Sequence, residues 1–377
     1  MARIAYVDHS FHQTTRSTDF LPDLLTRHGH VVERFWDEAW RGGAPIEFER
    51  VASHEVVLMF QSYCPPRGRY FRHLHPNVIY VPMLDQFGLW RGPHQNLSAF
   101  WEPFQGSKVL NFSSAAHCMT GGFGIVSHVV RYYRPVSPAP LPWREGLHGF
   151  FWVRRELELP WRTIRRLIEN TRFDSFHVHM ATDPGTPEAE QPSSEEMARY
   201  NITLSTWFES KAELDACLDR ANIYFAPRPE EGIGQSFLEA MARGQCVVAP
   251  DQGTMNEYIV AGDNGLLYDV HDPRPLDLSQ AARLGANARE SARAGRERWE
   301  QAESALVRYV LTPSEALYEG RYRHPLPERI PVALGGPAPP PSGLRRLVRE
   351  HAIFRSTRFM WHPMVQAARQ WLGRSHG

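Results

Sequence analysis

The sequence predicts an α/β protein of two parallel-sheet domains joined by a short linker and followed by a basic tail. Three observations predict it. With 377 residues, 42% of them hydrophobic, the chain carries more apolar mass than one core usually holds. Strand-like and helix-like runs alternate along both halves, the grammar of parallel sheets covered by helices. Between the halves, "YYRPVSPAPLPWREG" carries prolines at 135, 138, 140 and 142, a composition that interrupts regular structure. The reading is a first domain over 1–135, a linker over 136–146, a second domain over 147–330, and a Pro-rich linker with a basic tail over 335–377.

In the first domain, "RIAYVD" reads as a strand, "STDFLPDLLTRHGH" as a helix capped by Ser17, and "VVERFW" as the next strand. Strands follow at "EVVLMF", "NVIYVPML" and "KVLNFS". The segment 85–104 is dense in aromatics; Trp90, Phe100 and Trp101 are read first as core, with stacking on a sugar or dipping into a membrane interface as the other use of such rings. The second domain repeats the grammar: strand "GFFWVRR", helix "PWRTIRRLIEN", strand "SFHVHM", helix "SKAELDACLDRA", strand "NIYFAPR", helix "SFLEAMARG" and strand "QCVVAP". "ATDPGTPEAEQPSSEE" reads as a surface excursion, and Leu276–Val310 as a long helix.

Lys plus Arg equals Asp plus Glu at 42 each, so no global field favours a nucleic acid, and a charged ligand must be held locally. The cysteines at 64, 118, 217 and 246 form no CxxC pair, which points away from a disulfide framework or zinc ribbon and toward a reducing cytoplasm. No signal-peptide core opens the chain, and no apolar run reaches membrane-spanning length.

The richest stretch is "PEEGIGQSFLEAMARGQCVVAPDQGTMNEY". It reads as turn, helix and strand, with Phe237, Leu238 and Met241 at helical spacing and Gly244 at the C-terminal stop. Gly232, Ile233 and Gly234 form a turn whose backbone can approach a ligand, and the first N–H groups of the helix, at Gln235 and Ser236, favour an anion. The turn therefore reads as a phosphate seat. A carboxylate facing a phosphate is repulsive, so Glu231 and Glu239 are read as hydroxyl acceptors on its two sides, the layout of ribose, diphosphate and hexose.

In its wider context, "PRPEEGIGQSFLEAMARGQCVVAPDQGTMNEYIVAGDNGLLYD" resembles the donor-binding segment of retaining glycosyltransferases of the GT-B fold, family 4, whose pattern runs E-G-F-G-x-x-x-x-E-A-M-A-x-G-x-P-V-V-A-x-D. Glu231, Gly232, Gly234, Glu239, Ala240, Met241, Ala242, Gly244, Val247, Val248, Ala249 and Asp251 match it. The resemblance implies two Rossmann-like domains facing a cleft. It implies transfer of a sugar from a nucleotide-diphosphate sugar to a glycan or lipid-linked acceptor, as in bacterial surface polysaccharide synthesis. Glu231 would orient the hexose and Glu239 hold the ribose. "FFWVRRELELPW" sits where the family has its G-R-x-x-x-x-K-G clamp, so Arg154 or Arg155 takes the arginine role; the lysine position falls on Leu159 or Pro160, and Arg155 or Arg162 substitutes. The family's Gly-Gly loop is replaced by "HSFHQTTRST", whose His9, His12, Thr15 and Arg16 are candidates for acceptor or phosphate contact. Leu84 occupies the place of a donor-contacting histidine and Asp85 follows it as a catalytic candidate.

The sequence contains no D-x-D, so metal-independent transfer without a cofactor is expected; His177 and His179, on one strand face, read as a packed or donor-side face rather than as ligands. Two alternatives stand beside this reading: a catalytically silent subunit that binds nucleotide sugar or a partner enzyme, and a nucleotide-sugar 2-epimerase. The tail over 344–374 interleaves seven arginines with apolar residues against the single Glu350, which suggests docking on an anionic membrane surface, hence a cytoplasmic protein peripheral at the inner face, or an assembly element for an oligomer.

Overall fold

The computed structural model describes residues 1–62, 70–88, 97–183 and 186–318. The chain divides into two compact units, Met1–Val130 with the segment from Ala302 onward, and Arg131–Gln301.

The first unit is built from β1 (Arg3–His9), α1 (Phe11–Thr15), α2 (Phe20–Arg27), β2 (Val31–Asp37), β3 (Val56–Phe60), α3 (Phe71–Leu74), β4 (Val78–Val81), α4 (Asp85–Gly88), α5 (Leu97–Trp101), β5 (Lys108–Asn111), α6 (Ser114–Gly122) and β6 (Val126–Val129). Its six strands are all parallel in the order β2-β1-β3-β4-β5-β6. β3 and β4 are unbroken apolar runs buried along their whole length, as strands covered on both faces are, and β5 is equally buried although Lys108 and Asn111 bound it. Phe100 and Trp101 belong to the core with Phe71, Tyr80, Phe87 and Phe104, and the Tyr80 and Phe104 rings stack at 4.5 Å. They are packing residues; Trp90 lies outside the described residues. Ser17 does not cap α2. Asp19 stands at that position, without a side-chain capping bond, because its carboxylate is taken by Arg16 and Arg34.

The second unit comprises β7 (His148–Trp152), α7 (Trp161–Leu167), β8 (Ser175–His179), α8 (Ser194–Tyr200), β9 (Ile202–Ser205), α9 (Lys211–Leu218), β10 (Ile223–Phe225), α10 (Gln235–Arg243), β11 (Cys246–Pro250), β12 (Leu266–Tyr268) and α11 (Ala281–Leu311) as far as Gln301. Its sheet is again wholly parallel, in the order β12-β11-β10-β7-β8-β9. The core lies under β7, β8, β10 and β11 and is lined by Phe151, Phe176, Phe225, Trp161 and Leu284.

The last turns of α11 and all of α12 (Ser314–Tyr318) join the first unit, where the sequence reading carried the second domain to 330. The reason is a set of contacts about two hundred residues apart in the chain. Lys108, fully buried in β5, donates from Nζ to the carbonyls of Tyr309 and Val310, at 2.5 and 2.9 Å, and of Thr312. An ammonium there caps the negative end of α11, although burial pushes its pKa down to about 7. Asn77 Nδ2 donates to the carbonyl of Val310 at 3.1 Å, and Tyr318 Oη to that of Ser107 at 2.5 Å. Among the described residues no helix is long and apolar enough to cross a membrane.

Candidate functional site

In the second unit the strand order reverses between β7 and β10: β8 and β9 extend from one, β11 and β12 from the other. In open parallel sheets, ligands bind outside the carboxyl ends of the strands at such a point. The segment leaving β7 carries Arg154 and Arg155, and the segment leaving β10 carries Arg228 through Gly234. The two stretches that the sequence singled out are thus neighbours by topology.

Gly234 takes φ +80° as the N-cap of α10, a conformation natural to glycine, and a Cβ built there would overlap the ring of Phe237. Phe237, Leu238 and Met241 bury the inner face of the helix, and Gly244, with φ +83°, ends it. A helix gives its first-turn N–H groups no intrahelical carbonyl, and in α10 these groups belong to the residues that directly follow the Gly232–Gly234 turn. Thr254 Oγ1 donates to the carbonyls of Glu231 at 2.6 Å and Gly232 at 3.2 Å, which fixes the turn from the β11 side.

Glu231 is buried, and its Oε2 lies 3.6 Å from Nη1 of Arg228. Arg228 in turn stands 3.9 Å from Glu158, which pairs with Arg155 at 2.9 Å. Asp183 holds Arg154 at 3.0 Å and Arg155 at 2.9 Å. Burial alone would raise the pKa of Asp183, but Arg154 and Arg155 outweigh it and keep the carboxylate ionised. Burial and the neighbouring Arg228 lower the pKa of Arg155 to about 10, which leaves it fully charged near neutral pH. The result is three guanidinium groups, two of them clamped by one carboxylate, beside the glycine turn.

Glu239 faces the other side, with Oε1 2.9 Å from Arg243, 3.5 Å from Lys211 and 4.0 Å from Arg134. Its burial is outweighed by Arg134 and Arg243, so the carboxylate stays ionised. Arg134 also reaches Gln235 Oε1 at 3.1 Å and so ties the start of α10 to Glu239.

Of the clamp substitutes read from the sequence, Arg155 is in the cluster. Arg162 is not: it is exposed and stands 3.9 Å from Glu156. Leu159 is in the core and Pro160 is the N-cap of α7, and neither brings a charge to the cluster. Sequence reasoning missed Arg228, Arg134, Lys211 and Asp183. Arg228 carried a signal, being a charged residue between two prolines immediately before the turn; Asp183 sits in the excursion read as bland surface. His177 and His179 are packed: both bond Ser205 Oγ at 2.8 Å, His179 stacks on Phe208 at 4.7 Å, and burial lowers both pKa values to about 4.

The candidates of the first unit lie at the carboxyl ends of its strands. His9 ends β1, and α1 brings His12 over it, with the rings 3.8 Å apart. Thr15 bonds only locally, to Ser17 at 3.1 Å, and Arg16 is exposed and pairs with Asp19 at 2.7 Å. Asp85 opens α4 just after β4 and is buried.

Residues 173–288 match the family Glycosyl transferases group 1. The matched segment runs from just before β8 to the first turns of α11 and so contains the whole Glu231–Glu239 turn. The chain is similar to the sucrose-phosphate synthase of Thermosynechococcus elongatus at 12% identity, with a TM-score of 0.59 over 86% of this chain and 100% of that one. It is similar to the lipopolysaccharide outer core galactosyltransferase WaaB at 14% identity, with a TM-score of 0.55 over 81% of this chain and 99% of that one. Anabaena Alr3699/HepE, solved in complex with UDP and glucose, matches at 13% identity, with a TM-score of 0.52 over 81% of this chain and 100% of that one. No curated protein matches the sequence. The two parallel sheets are those of the GT-B fold, and the family match over the Glu231–Glu239 turn supports glycosyl transfer.

Proposed function

We propose that the chain is a retaining glycosyltransferase of family 4 that moves a sugar from a nucleotide-diphosphate sugar to a glycan or lipid-linked saccharide acceptor in the synthesis of a bacterial surface polysaccharide. The observation that carries the reading is the turn between Glu231 and Glu239, with α10 aimed into it and three arginines beside it. The diphosphate seats on the first-turn N–H groups of α10 and on the arginine cluster, so the charge that grows on the leaving diphosphate meets prepared donors. Those donors supply the compensation, and the transfer step uses no metal. Glu239 accepts from the ribose hydroxyls and Glu231 from the hexose. The anomeric C–O bond to phosphate breaks, the acceptor hydroxyl closes on the same face, and the departing phosphate oxygen takes the acceptor's proton. Positioning is the protein's main contribution.

The test is calorimetric titration with UDP, GDP, dTDP and ADP in EDTA. The UDP held by Alr3699/HepE makes UDP the first of the four to try. One nucleotide binds, and Glu239→Ala weakens it; indifference to all four refutes the donor site.

A second reading, a silent subunit that binds nucleotide sugar or a partner enzyme, is favoured by Leu84 where the family places a histidine and by Leu159 or Pro160 where it places a lysine. Slow donor hydrolysis that vanishes in Glu231→Ala excludes it. For the tail over 344–374, outside the described residues, the proposal is docking on anionic lipid, tested by co-sedimentation of the full chain and of a chain ending at 334 with phosphatidylglycerol vesicles.

A further inference from the structure

The first unit carries a separate concentration of chemistry, at the point where its own strand order reverses between β1 and β3. Asp8 and His9 close β1, α1 returns His12 over them, and one ligand atom from each of the three side chains lies within 4.8 Å of the other two. Asp8 is fully buried. Its Oδ2 accepts from Thr18 Oγ1 at 2.7 Å, while its Oδ1 accepts from the His9 amide at 2.8 Å and lies 2.7 Å from Nδ1 of His12. Among the described residues no arginine or lysine stands within ion-pair distance of it. A buried carboxylate so placed is short of positive charge.

His9 is 8% exposed. Its Nε2 lies 3.3 Å from Oε1 of Gln61, which only accepts, so Nε2 carries the ring proton and Nδ1 presents a bare lone pair. That Nδ1 is buried and has no hydrogen-bond partner. Gln61 follows β3 and is held by its own amide, which donates to the carbonyl of Val81 at 2.9 Å. The imidazole is thus oriented from the neighbouring strand with its free lone pair unspent.

We infer that Asp8, His9 and His12 bind one divalent transition-metal ion of the zinc class. Two imidazole nitrogens and one carboxylate oxygen suit zinc and its neighbours rather than magnesium or calcium, which prefer an all-oxygen set. Thr18 and Gln61 are the outer partners that such ligands need to fix carboxylate rotation and imidazole tautomer. The ion supplies the positive charge that Asp8 lacks, satisfies Nδ1 of His9, and fastens α1 to the end of β1. Three protein ligands leave a fourth position for water. The site orders the loop after β1; the donor turn belongs to the other unit and keeps its own means of binding phosphate.

The test uses the untagged full chain, stripped with EDTA and dialysed free of it, titrated with zinc chloride by calorimetry and with Co2+ by visible spectroscopy. The expected result is one ion per chain, bound at least about a hundredfold more weakly by His9→Ala and by His12→Ala, and about ten- to a hundredfold more weakly by Gln61→Ala. The Co2+ form shows the bands of a four-coordinate nitrogen and oxygen site without thiolate charge transfer. Equal binding by the His9→Ala/His12→Ala double variant, thiolate bands that trace the ion to cysteine, or no binding at all overturns the inference. Should the alanine variants not fold by circular dichroism, the Co2+ spectrum of the unchanged chain decides, and absence of the four-coordinate bands overturns it equally.

Discussion

Gly234→Ala is the substitution whose cost the structure defines most closely. Gly234 sits at φ +80°, where an L residue with a Cβ loses on the order of 1–2 kcal/mol. The new methyl would also overlap the ring of Phe237, which is fully buried and packs edge-on against Tyr258 with centroids 5.6 Å apart. A ring so enclosed cannot swing aside without moving its neighbours, an overpacking cost of about 1–3 kcal/mol. Together these give about 2–5 kcal/mol, read from urea unfolding. The two causes separate in a double-mutant cycle. Phe237→Leu removes Cε1 and Cζ, two of the three ring atoms that the methyl would meet, and leaves the backbone strain, so Gly234→Ala should cost less in the Phe237→Leu background by about 1 kcal/mol or more. An unfolding free energy within about 0.5 kcal/mol of the unchanged chain, or a cycle with no coupling, would refute the reasoning. Nucleotide binding should fall in parallel even at temperatures where the variant stays folded, since the same turn is the proposed phosphate seat.

Other expectations are open to direct measurement. Glu239→Ala should weaken the bound nucleotide about ten- to a hundredfold, the loss of charge-assisted hydrogen bonds worth about 1.5–3 kcal/mol, with little change in unfolding midpoint because Arg243 keeps Asp215 at 2.8 Å and Asp219 at 2.9 Å; unchanged affinity argues against the ribose contact. Arg228→Ala should reduce affinity for the diphosphate and make binding less sensitive to salt, whereas Arg162→Ala, whose side chain is 66% exposed beside Glu156, should do neither. Lys108→Met should destabilise the fold by about 1–3 kcal/mol by taking the ammonium donor from the carbonyls of Tyr309 and Thr312, while Val310 keeps Asn77, seen as a lower urea midpoint. For pH, the lowered values of His177 and His179, about 4 against an ordinary 6.5, mean that the unfolded chain takes up protons first on acidification. The contribution of this pair to stability is complete above pH 6.5 and is lost as pH falls toward 4, so a His177→Gln/His179→Gln variant should show a flatter decline in urea midpoint between pH 6.5 and 4 than the unchanged chain.

Apart from β2, a seven-residue edge strand legible from its β-branched and aromatic residues, the strands that the sequence reading found and those it passed over differ in burial. β3, β4, β10 and β11 are interior, buried on both faces, and stand out as unbroken apolar runs, while β5 is equally buried with Val109 and Leu110 between two polar ends. β6, β9 and β12 went unrecognised, and each is a short, partly buried strand at the edge of its sheet. The long helix was legible from its periodicity, but its allegiance was not, because the contacts that draw its end to the first unit come from Asn77, Lys108 and Ser107, far away in sequence.

The same division holds at the candidate site. By itself the sequence determined the strand, glycine turn and helix over Ile223–Arg243 and the two glutamates on either side of the turn, since each depends on residues a few positions apart, on backbone freedom and on helical spacing. Only the tertiary structure decided which charges gather there. Arg154 and Arg155 reach Asp183 across an excursion of the chain, Arg228 joins them through Glu158, Glu239 receives Arg134 and Lys211, and Gln61 orients His9 from another strand. These partners are brought together by the order in which parallel strands assemble, and no local pattern of residues encodes that order.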